Sequence, residues 1–194
     1  MTDIVRDYDF DVIGMEEVTG SVRNYTTGTT QLDDLRNLLK DYSDWAVERN
    51  GSYYEYNVIF YKTERYELLG RGRFYLNAHP EKPGPGWGEK TLPRALAWVH
   101  LKEKQTGKDF IFAAVHTNCG ASESGKQACK LIGNRLDSIA GETPVVLVGD
   151  FNMLRTDHKE AYEGCASHFK DASLQTETKC IPKGDIRHTS FSMA

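Results

Sequence analysis

Two polar side chains that could act on a phosphate follow a short apolar run late in the sequence. Val145-Val146-Leu147-Val148 leads into Gly149-Asp150-Phe151-Asn152. Asp150 and Asn152 stand two residues apart, so on extended backbone their side chains face the same way and can share one phosphate oxygen, water or divalent ion. The same pattern also fits a strand followed by an Asx-turn. Both interpretations remain open for this segment taken alone.

Two further apolar runs end in comparable side chains. The stretch 11–18 is an apolar strand with a glycine, Gly14, and the acids Glu16 and Glu17, and the stretch 110–115 leads directly into His116. Because such runs read as buried strands, their polar ends are expected to meet at one edge of a sheet. Buried strands that end in Glu, His and Asp/Asn are typical of a metal-assisted phosphoryl hydrolase.

In order and type these motifs resemble the endonuclease/exonuclease/phosphatase superfamily, which is also called DNase I-like. The matching segments are Met15-Glu16-Glu17-Val18, Val115-His116-Thr117 and Gly149-Asp150-Phe151-Asn152, and the segments 57–62 and 93–98 resemble the family's middle strands. The resemblance implies an α+β fold, a four-layer α/β/β/α sandwich of two mixed sheets. Periodicity alone predicts only α+β with hairpins.

The resemblance also implies a catalytic role for each strand end. Glu17 is expected to hold Mg²⁺ or Mn²⁺, and Asp150 to orient or deprotonate the attacking water. Asn152 would donate to a phosphate oxygen, and His116 would protonate or stabilise the leaving oxygen. The implied activity is the hydrolysis of a phosphoester in nucleic acid, a phospholipid head group or a sugar phosphate.

Three further assignments are argued less directly. Arg94 and Asn57 are predicted to bind substrate. Glu17 is preferred to Glu16 as the metal ligand because it aligns with the family's second acid. Neighbouring side chains on a strand face opposite sides, so we expect only one of the two acids to join the site.

Two motifs of the family are absent from the sequence. Relatives begin with a strand that ends in Thr-Phe-Asn or Thr-Tyr-Asn and finish with a strand that carries an Asp-His pair, and neither can be placed here. We therefore expect residues 1–194 to form one domain that lacks the first and last strands. The alternative to an active hydrolase is an inactive fragment that retains phosphate or metal binding.

Composition indicates one globular domain without a general affinity for polyanions. The chain has 194 residues, of which 39% are hydrophobic and 27% charged, and a formal net charge of -4. A negative chain needs a local basic patch or a metal to bind nucleic acid. Arg71 and Arg73, near Arg65 and Lys62, are the best patch candidates, although an ordinary solvated strand face is favoured.

No stretch reaches the ~20 apolar residues that span a bilayer, and no signal-peptide core follows Met1. We therefore expect a cytoplasmic monomer as written, or a secreted protein if an upstream signal peptide is missing. The four cysteines lack the spacing of a zinc site. Free thiols are the default, and a Cys165–Cys180 disulfide is possible in an oxidising compartment.

Periodicity places the main elements. Helices are predicted over 31–40 and 124–140, and strands near 45–48, 56–61, 66–76, 95–103 and 110–115. The Pro/Gly-rich stretch 78–88 predicts a long loop, which either contacts substrate through Trp87 or is a plain surface excursion.

Overall fold

A computed structural model describes residues 2–20, 27–49, 54–88, 91–118, 123–153, 156–174 and 191–192. Its helices are α1 (Thr2–Tyr8), α2 (Gln31–Leu38), α3 (Glu123–Ala140) and α4 (Lys159–Ala166), with a short 3-10 helix over Ala172–Leu174. Its strands are β1 (Val12–Thr19), β2 (Tyr42–Glu48), β3 (Glu55–Lys62), β4 (Tyr66–Tyr75), β5 (Ala95–Glu103), β6 (Asp109–His116), β7 (Val145–Asp150), β8 (Lys170–Asp171) and β9 (Phe191–Ser192).

The strands form two sheets. The smaller sheet has the order β1-β3-β2 and the larger sheet the order β4-β5-β6-β7-β9-β8. The pair β6 and β7 is parallel, and its register sets His116 opposite Asp150. Two of the predicted site residues therefore lie side by side because parallel strands end at the same edge of a sheet.

Four layers pack around three apolar clusters. Helices α1 and α2 cover the outer face of the smaller sheet, the two sheets face each other, and α3 and α4 cover the outer face of the larger sheet. The predicted α+β, α/β/β/α sandwich is confirmed. The smaller sheet differs from the prediction of two mixed sheets, because its described strands pair only in antiparallel fashion. Among the described helices, none has the length and apolar character needed to cross a membrane.

The sequence predicts the start of α2 correctly but not its end. Thr30 caps the helix, and its side chain and that of Asp33 form a reciprocal capping box. The helix ends at Leu38 rather than residue 40, and Leu38 is 47% exposed. Leu32, Leu35 and the capping residue Leu39 are buried against the smaller sheet, so among the apolar residues of this segment Leu38 alone faces solvent.

The long loop 78–88 is packed onto the domain. Asn77 accepts a hydrogen bond from the backbone N–H of His79 at 2.6 Å and donates to the carbonyl of Lys82 at 3.0 Å. Trp87 is half-buried and packs against the apolar cluster beneath α3. One face of the indole thus belongs to the core, and contact of Trp87 with a substrate stays a prediction.

The cysteine predictions are wrong where the structure tests them. Cys129 in α3 and Cys165 in α4 form a disulfide, with their Cα atoms 4.8 Å apart. Cys165 is therefore neither a free thiol nor the partner of Cys180. The spacing in sequence could not indicate this pair, because the packing of α3 against α4 brings together residues 36 positions apart. Cys119 and Cys180 lie outside the described residues.

Candidate active site

A β-bulge carries the two adjacent acids Glu16 and Glu17. The register between β1 and β3 shifts between Met15 and Val18, and Glu17 adopts a positive φ of 58°. A bulge adds a residue to one strand and interrupts the alternation of its side chains. The argument that only one of the two acids can face the site therefore does not hold here.

His116 lies between two carboxylates at the end of the sandwich. Its Nδ1 is 3.7 Å from Glu17 Oε1, and its Nε2 is 3.9 Å from Asp150 Oδ2. The imidazole is 5% exposed, whereas the Glu17 side chain is 63% exposed. Both separations exceed hydrogen-bond length, so these two contacts are ion-pair distances rather than direct hydrogen bonds.

Glu16 adds a third carboxylate to this region. Burial, followed by the negative charge of Asp150 and then that of Glu17, raises the pKa of Glu16 to about 7. Its Oε1 is inaccessible to solvent and has no hydrogen-bond partner among the described residues. Like charges gathered in this way stabilise a bound cation or proton, because either reduces their mutual repulsion.

The Gly149–Asn152 segment is held tightly against β6. Gly149 has a φ of 144°, and a Cβ built there would lie 1.8 Å from the carbonyl oxygen of Val115. Only glycine fits such an approach. The backbone N–H of Asn152 donates to Asp150 Oδ1 at 2.8 Å, which is an Asx-type bond. The turn and the cluster of polar groups thus occur together, although the sequence presented them as alternatives.

Thr117 connects this segment to the end of β6. Its N–H donates to the carbonyl of Asp150 at 2.9 Å, and its hydroxyl donates to the carbonyl of Phe151. In the other direction, Asn152 Nδ2 donates a hydrogen bond to the Thr117 carbonyl at 3.0 Å. Sequence analysis assigned no role to Thr117, and its position directly after His116 is the only signal that points to it.

Asn57 and Arg94 lie at the same end of the molecule. Asn57 is on β3 across from the bulge and donates from Nδ2 to the Ala95 carbonyl at 2.7 Å. Arg94 Nε donates to Asn118 Oδ1 at 3.3 Å, and both Asn57 and Arg94 are almost fully buried. Their observed partners are protein atoms, and their predicted contact with substrate stays a prediction.

Asn118 was missed by sequence analysis. Its Oδ1 accepts from the Leu92 N–H at 3.1 Å, and its Nδ2 donates to the Leu92 carbonyl at 2.9 Å. The side chain therefore ties the segment that precedes β5 to the residues that follow β6. Nothing in the sequence links these two segments, which are 26 positions apart.

The predicted basic patch divides into two parts. Arg65 and Lys62 make ion pairs at the end of the sandwich opposite His116. Arg71 instead lies over the ring of Trp45, with its Cζ 4.4 Å from the ring centroid, and Arg73 lies over Tyr75. The four cations therefore do not form one continuous surface, which agrees with an ordinary strand face.

Metal ligation at this site requires groups beyond the side chains. In the part of the chain that the structure describes, no three His, Cys, Asp or Glu side chains converge closely enough to hold an ion. Mg²⁺ commonly takes only one or two carboxylates and completes its octahedron with waters and phosphate oxygens. The oxygen-rich surroundings of Glu16, Glu17 and Asp150 are compatible with that mode of binding.

Comparison with known proteins gives matches among solved structures only. No family model matches the sequence, and no curated protein matches it. An endonuclease/exonuclease/phosphatase from Bacteroides vulgatus is 27% identical with a TM-score of 0.84, covering 98% of this chain and 76% of its own. A mannosyl-6-phosphatase from Bacteroides thetaiotaomicron is 24% identical with a TM-score of 0.80, covering 98% and 74%.

A more distant match shares the fold alone. TDP2 from D. rerio, solved with a single-strand DNA product, is 12% identical with a TM-score of 0.70, covering 98% of this chain and 73% of its own. The reported matches each extend over 98% of this chain and agree with the observed α+β fold. The chain belongs to the endonuclease/exonuclease/phosphatase, DNase I-like superfamily.

Proposed function

We propose that this protein is a metal-dependent phosphoester hydrolase with its reaction centre around His116. The observation that carries the proposal is the position of this buried imidazole between the carboxylates of Glu17 and Asp150, 3.7 and 3.9 Å away. An acid–base side chain, two carboxylates and the adjacent amide of Asn152 are the groups that hydrolysis of a phosphoester requires.

The proposed reaction is the attack of water on phosphorus. Asp150 takes the proton of the attacking water, and its bond from the Asn152 N–H holds its carboxylate in place. As the ester P–O bond breaks, His116 gives a proton to the leaving oxygen. Asn152, whose Nδ2 donates to the Thr117 carbonyl, is proposed to donate to a phosphate oxygen as well.

Glu17 is the proposed ligand for Mg²⁺ or Mn²⁺. When bound, such an ion supplies positive charge that stabilises the phosphate oxygens in the transition state. Glu16 stands beside it with a carboxylate oxygen buried from solvent. The surroundings are rich in oxygen ligands, so we expect weak binding of Mg²⁺ or Mn²⁺ and no closed tetrahedral zinc site.

We propose that the substrate is a small phosphoester, and a sugar phosphate is the first candidate to test. The mannosyl-6-phosphatase among the similar structures supports this order, and the net charge of -4 offers no general attraction to nucleic acid. Nucleic acid and phospholipid head groups follow as further substrates to test. An inactive domain that only binds phosphate or metal is the competing outcome.

The test compares Asp150→Ala with a matched control at the opposite end of the sandwich. Asp41→Ala makes the same chemical change at an exposed position far from His116. Hydrolysis of sugar phosphates and of chromogenic phosphomonoesters and phosphodiesters is measured with Mg²⁺ and with Mn²⁺.

The expected result is a loss of ~10²- to 10⁴-fold in rate for Asp150→Ala and unchanged turnover for Asp41→Ala. Calorimetry with Mn²⁺ gives a readout that does not depend on turnover, and Glu17→Gln is expected to weaken the binding. Inertness of the protein toward every phosphoester class, or unchanged turnover in Asp150→Ala, contradicts the hydrolase. Binding of Mn²⁺ or phosphate without any turnover identifies the inactive domain instead.

A further inference from the structure

The Cys129–Cys165 disulfide joins two helices that flank the site segment in sequence. Both cysteines are fully buried between α3 and α4, on the outer side of the larger sheet. The covalent loop that they close spans 36 positions and contains β7 and the residues 149–152. The bond therefore encloses the part of the chain that carries Asp150 and Asn152.

Besides the disulfide, α4 is held by its buried side chains Ala161 and Tyr162, which belong to the same apolar cluster as α3. It is eight residues long, and helices of that length are marginal without tertiary packing. Its described side-chain bonds to other segments include an exposed ion pair from Glu160 to Lys126 and a bond from the Tyr162 hydroxyl to Asp171 at 2.7 Å.

Burial also determines when the bond can form. Neither sulfur is accessible in the folded protein, so an external oxidant or reductant cannot reach it without opening the helix pair. Buried structural disulfides of this kind persist in oxidising compartments and are rare in the cytosol, where thiols are kept reduced.

We propose that the Cys129–Cys165 disulfide is acquired during folding in an oxidising compartment outside the cytosol and that it fixes α4 against α3. This inference concerns the maturation of the protein and does not depend on the proposed hydrolase. It favours the secreted alternative over the cytoplasmic one.

The oxidant is a disulfide, either oxidised glutathione or a thiol–disulfide oxidoreductase. The thiolate of one cysteine attacks the oxidant, forms a mixed disulfide and releases one thiol of the oxidant. The second cysteine then attacks the protein sulfur of that mixed disulfide and releases the other thiol. Two protein thiols lose two electrons and two protons, and the oxidant gains them.

Peptide mapping tests the pairing directly. The chain is refolded with oxidised and reduced glutathione, denatured, alkylated without reductant and digested. We expect a peptide that contains Cys129 linked to one that contains Cys165, and we expect the native protein to resist mild reductant. Recovery of both cysteines in alkylated form, or linkage of either to Cys119 or Cys180, overturns the proposal.

Thermal unfolding tests what the bond does. Closing a loop of this length is expected to raise the midpoint by about 10 °C in a chain of this size. Cys129→Ala/Cys165→Ala should melt about that much lower and should not respond to reductant. The matched control Cys119→Ala/Cys180→Ala should behave like the unaltered protein.

Hydrogen exchange gives a third readout that is independent of activity. We expect faster exchange in α4, and little change in β5, when the bond is absent. Equal midpoints for the unaltered chain and Cys129→Ala/Cys165→Ala would contradict the stabilising role. If that variant does not fold, the peptide mapping still decides the pairing.

Discussion

The two ends of the sandwich differ in how their charged side chains are arranged. At the end remote from His116, an open cavity of about 980 Å³ is lined mainly by charged side chains. Two of its three cations have acidic partners, since Lys62 pairs with Asp9 and Asp11 and Arg65 pairs with Asp11 and Glu103. The third, Lys104, donates to the Thr63 carbonyl. At the His116 end, carboxylates gather beside one another instead.

This difference shows which end is suited to chemistry. The large cavity carries internally compensated charge, so its volume does not identify a reaction centre. Around His116, burial and like charges raise the pKa of Glu16. Unfavourable electrostatics are retained where function offsets their cost.

The largest effect is expected from a comparison of two histidines, one at each end of the sandwich. His116→Gln should lower phosphoester turnover by ~10²- to 10⁴-fold, because the proposed proton donor is lost. The control His100→Gln removes a histidine that pairs with Asp109 toward the opposite end, and should leave turnover unchanged. Equal turnover in the two variants would contradict a reaction centre at His116.

Two glycine-to-alanine substitutions, one at each end, compare how strongly the backbone depends on glycine. Gly149→Ala should reduce the free energy of unfolding by on the order of 3 kcal/mol or more, since the new Cβ meets the Val115 carbonyl and φ is positive. Gly107, in the turn between β5 and β6, has a φ of 72°, and a Cβ added there would lie 4.0 Å from its nearest neighbour, Lys102 Cε. Gly107→Ala is the comparison. It should cost about 1 kcal/mol. Urea unfolding measures both, and similar losses would remove the distinction.

Glu16 predicts a pH dependence of stability. Its pKa is about 7 in the folded protein, against an ordinary value of 4.5 for an exposed glutamate, so the folded state retains a proton that the unfolded state releases. The resulting stability is full below pH 4.5 and is lost as the pH rises through 7. The loss amounts to roughly 3 kcal/mol at most.

Urea unfolding between about pH 4 and pH 8 in the presence of EDTA measures this loss. Glu16→Gln should remove most of the decrease, because the neutral amide does not titrate. Glu142→Gln, the same change at an exposed position, should leave the decrease as it is in the unaltered chain. Parallel pH profiles for all three proteins would show that Glu16 is not the group responsible.

The smallest expected effect lies at the compensated end. Arg65→Gln removes two exposed ion pairs, and exposed pairs contribute little because water and salt screen them. We expect a barely altered unfolding midpoint, unchanged turnover and little response to added salt. A large loss of stability would show that the ion pairs around the cavity contribute substantially to the fold, and would contradict this prediction.

Much of this organisation is encoded locally. The apolar run before Gly149, the alternating strands and the Thr30 cap each depend on near neighbours in sequence, and the predicted elements match the observed ones to within a few residues. The site end was predicted for the same reason, since polar residues that follow buried strands emerge at one edge of a sheet.

Other features depended on contacts between segments that are distant in sequence. The bulge arises from the register of β1 against β3 and places Glu16 as well as Glu17 near Asp150. Asn118 reaches Leu92 and Arg94 only after the sheet has formed, and Thr117 likewise bonds across to Phe151. No local pattern encodes these pairings, because each requires two strands to be in register first.

The sequence by itself determined the types of chemical group, the strand ends that carry them and the superfamily they resemble. Only the tertiary structure decided that both acids approach the site, that Gly149 is required by the Val115 carbonyl and that Cys129 pairs with Cys165. The physical reason is range: propensity and periodicity act over a few residues, whereas registers, close approaches and disulfides depend on packing between segments that the chain brings together from far apart.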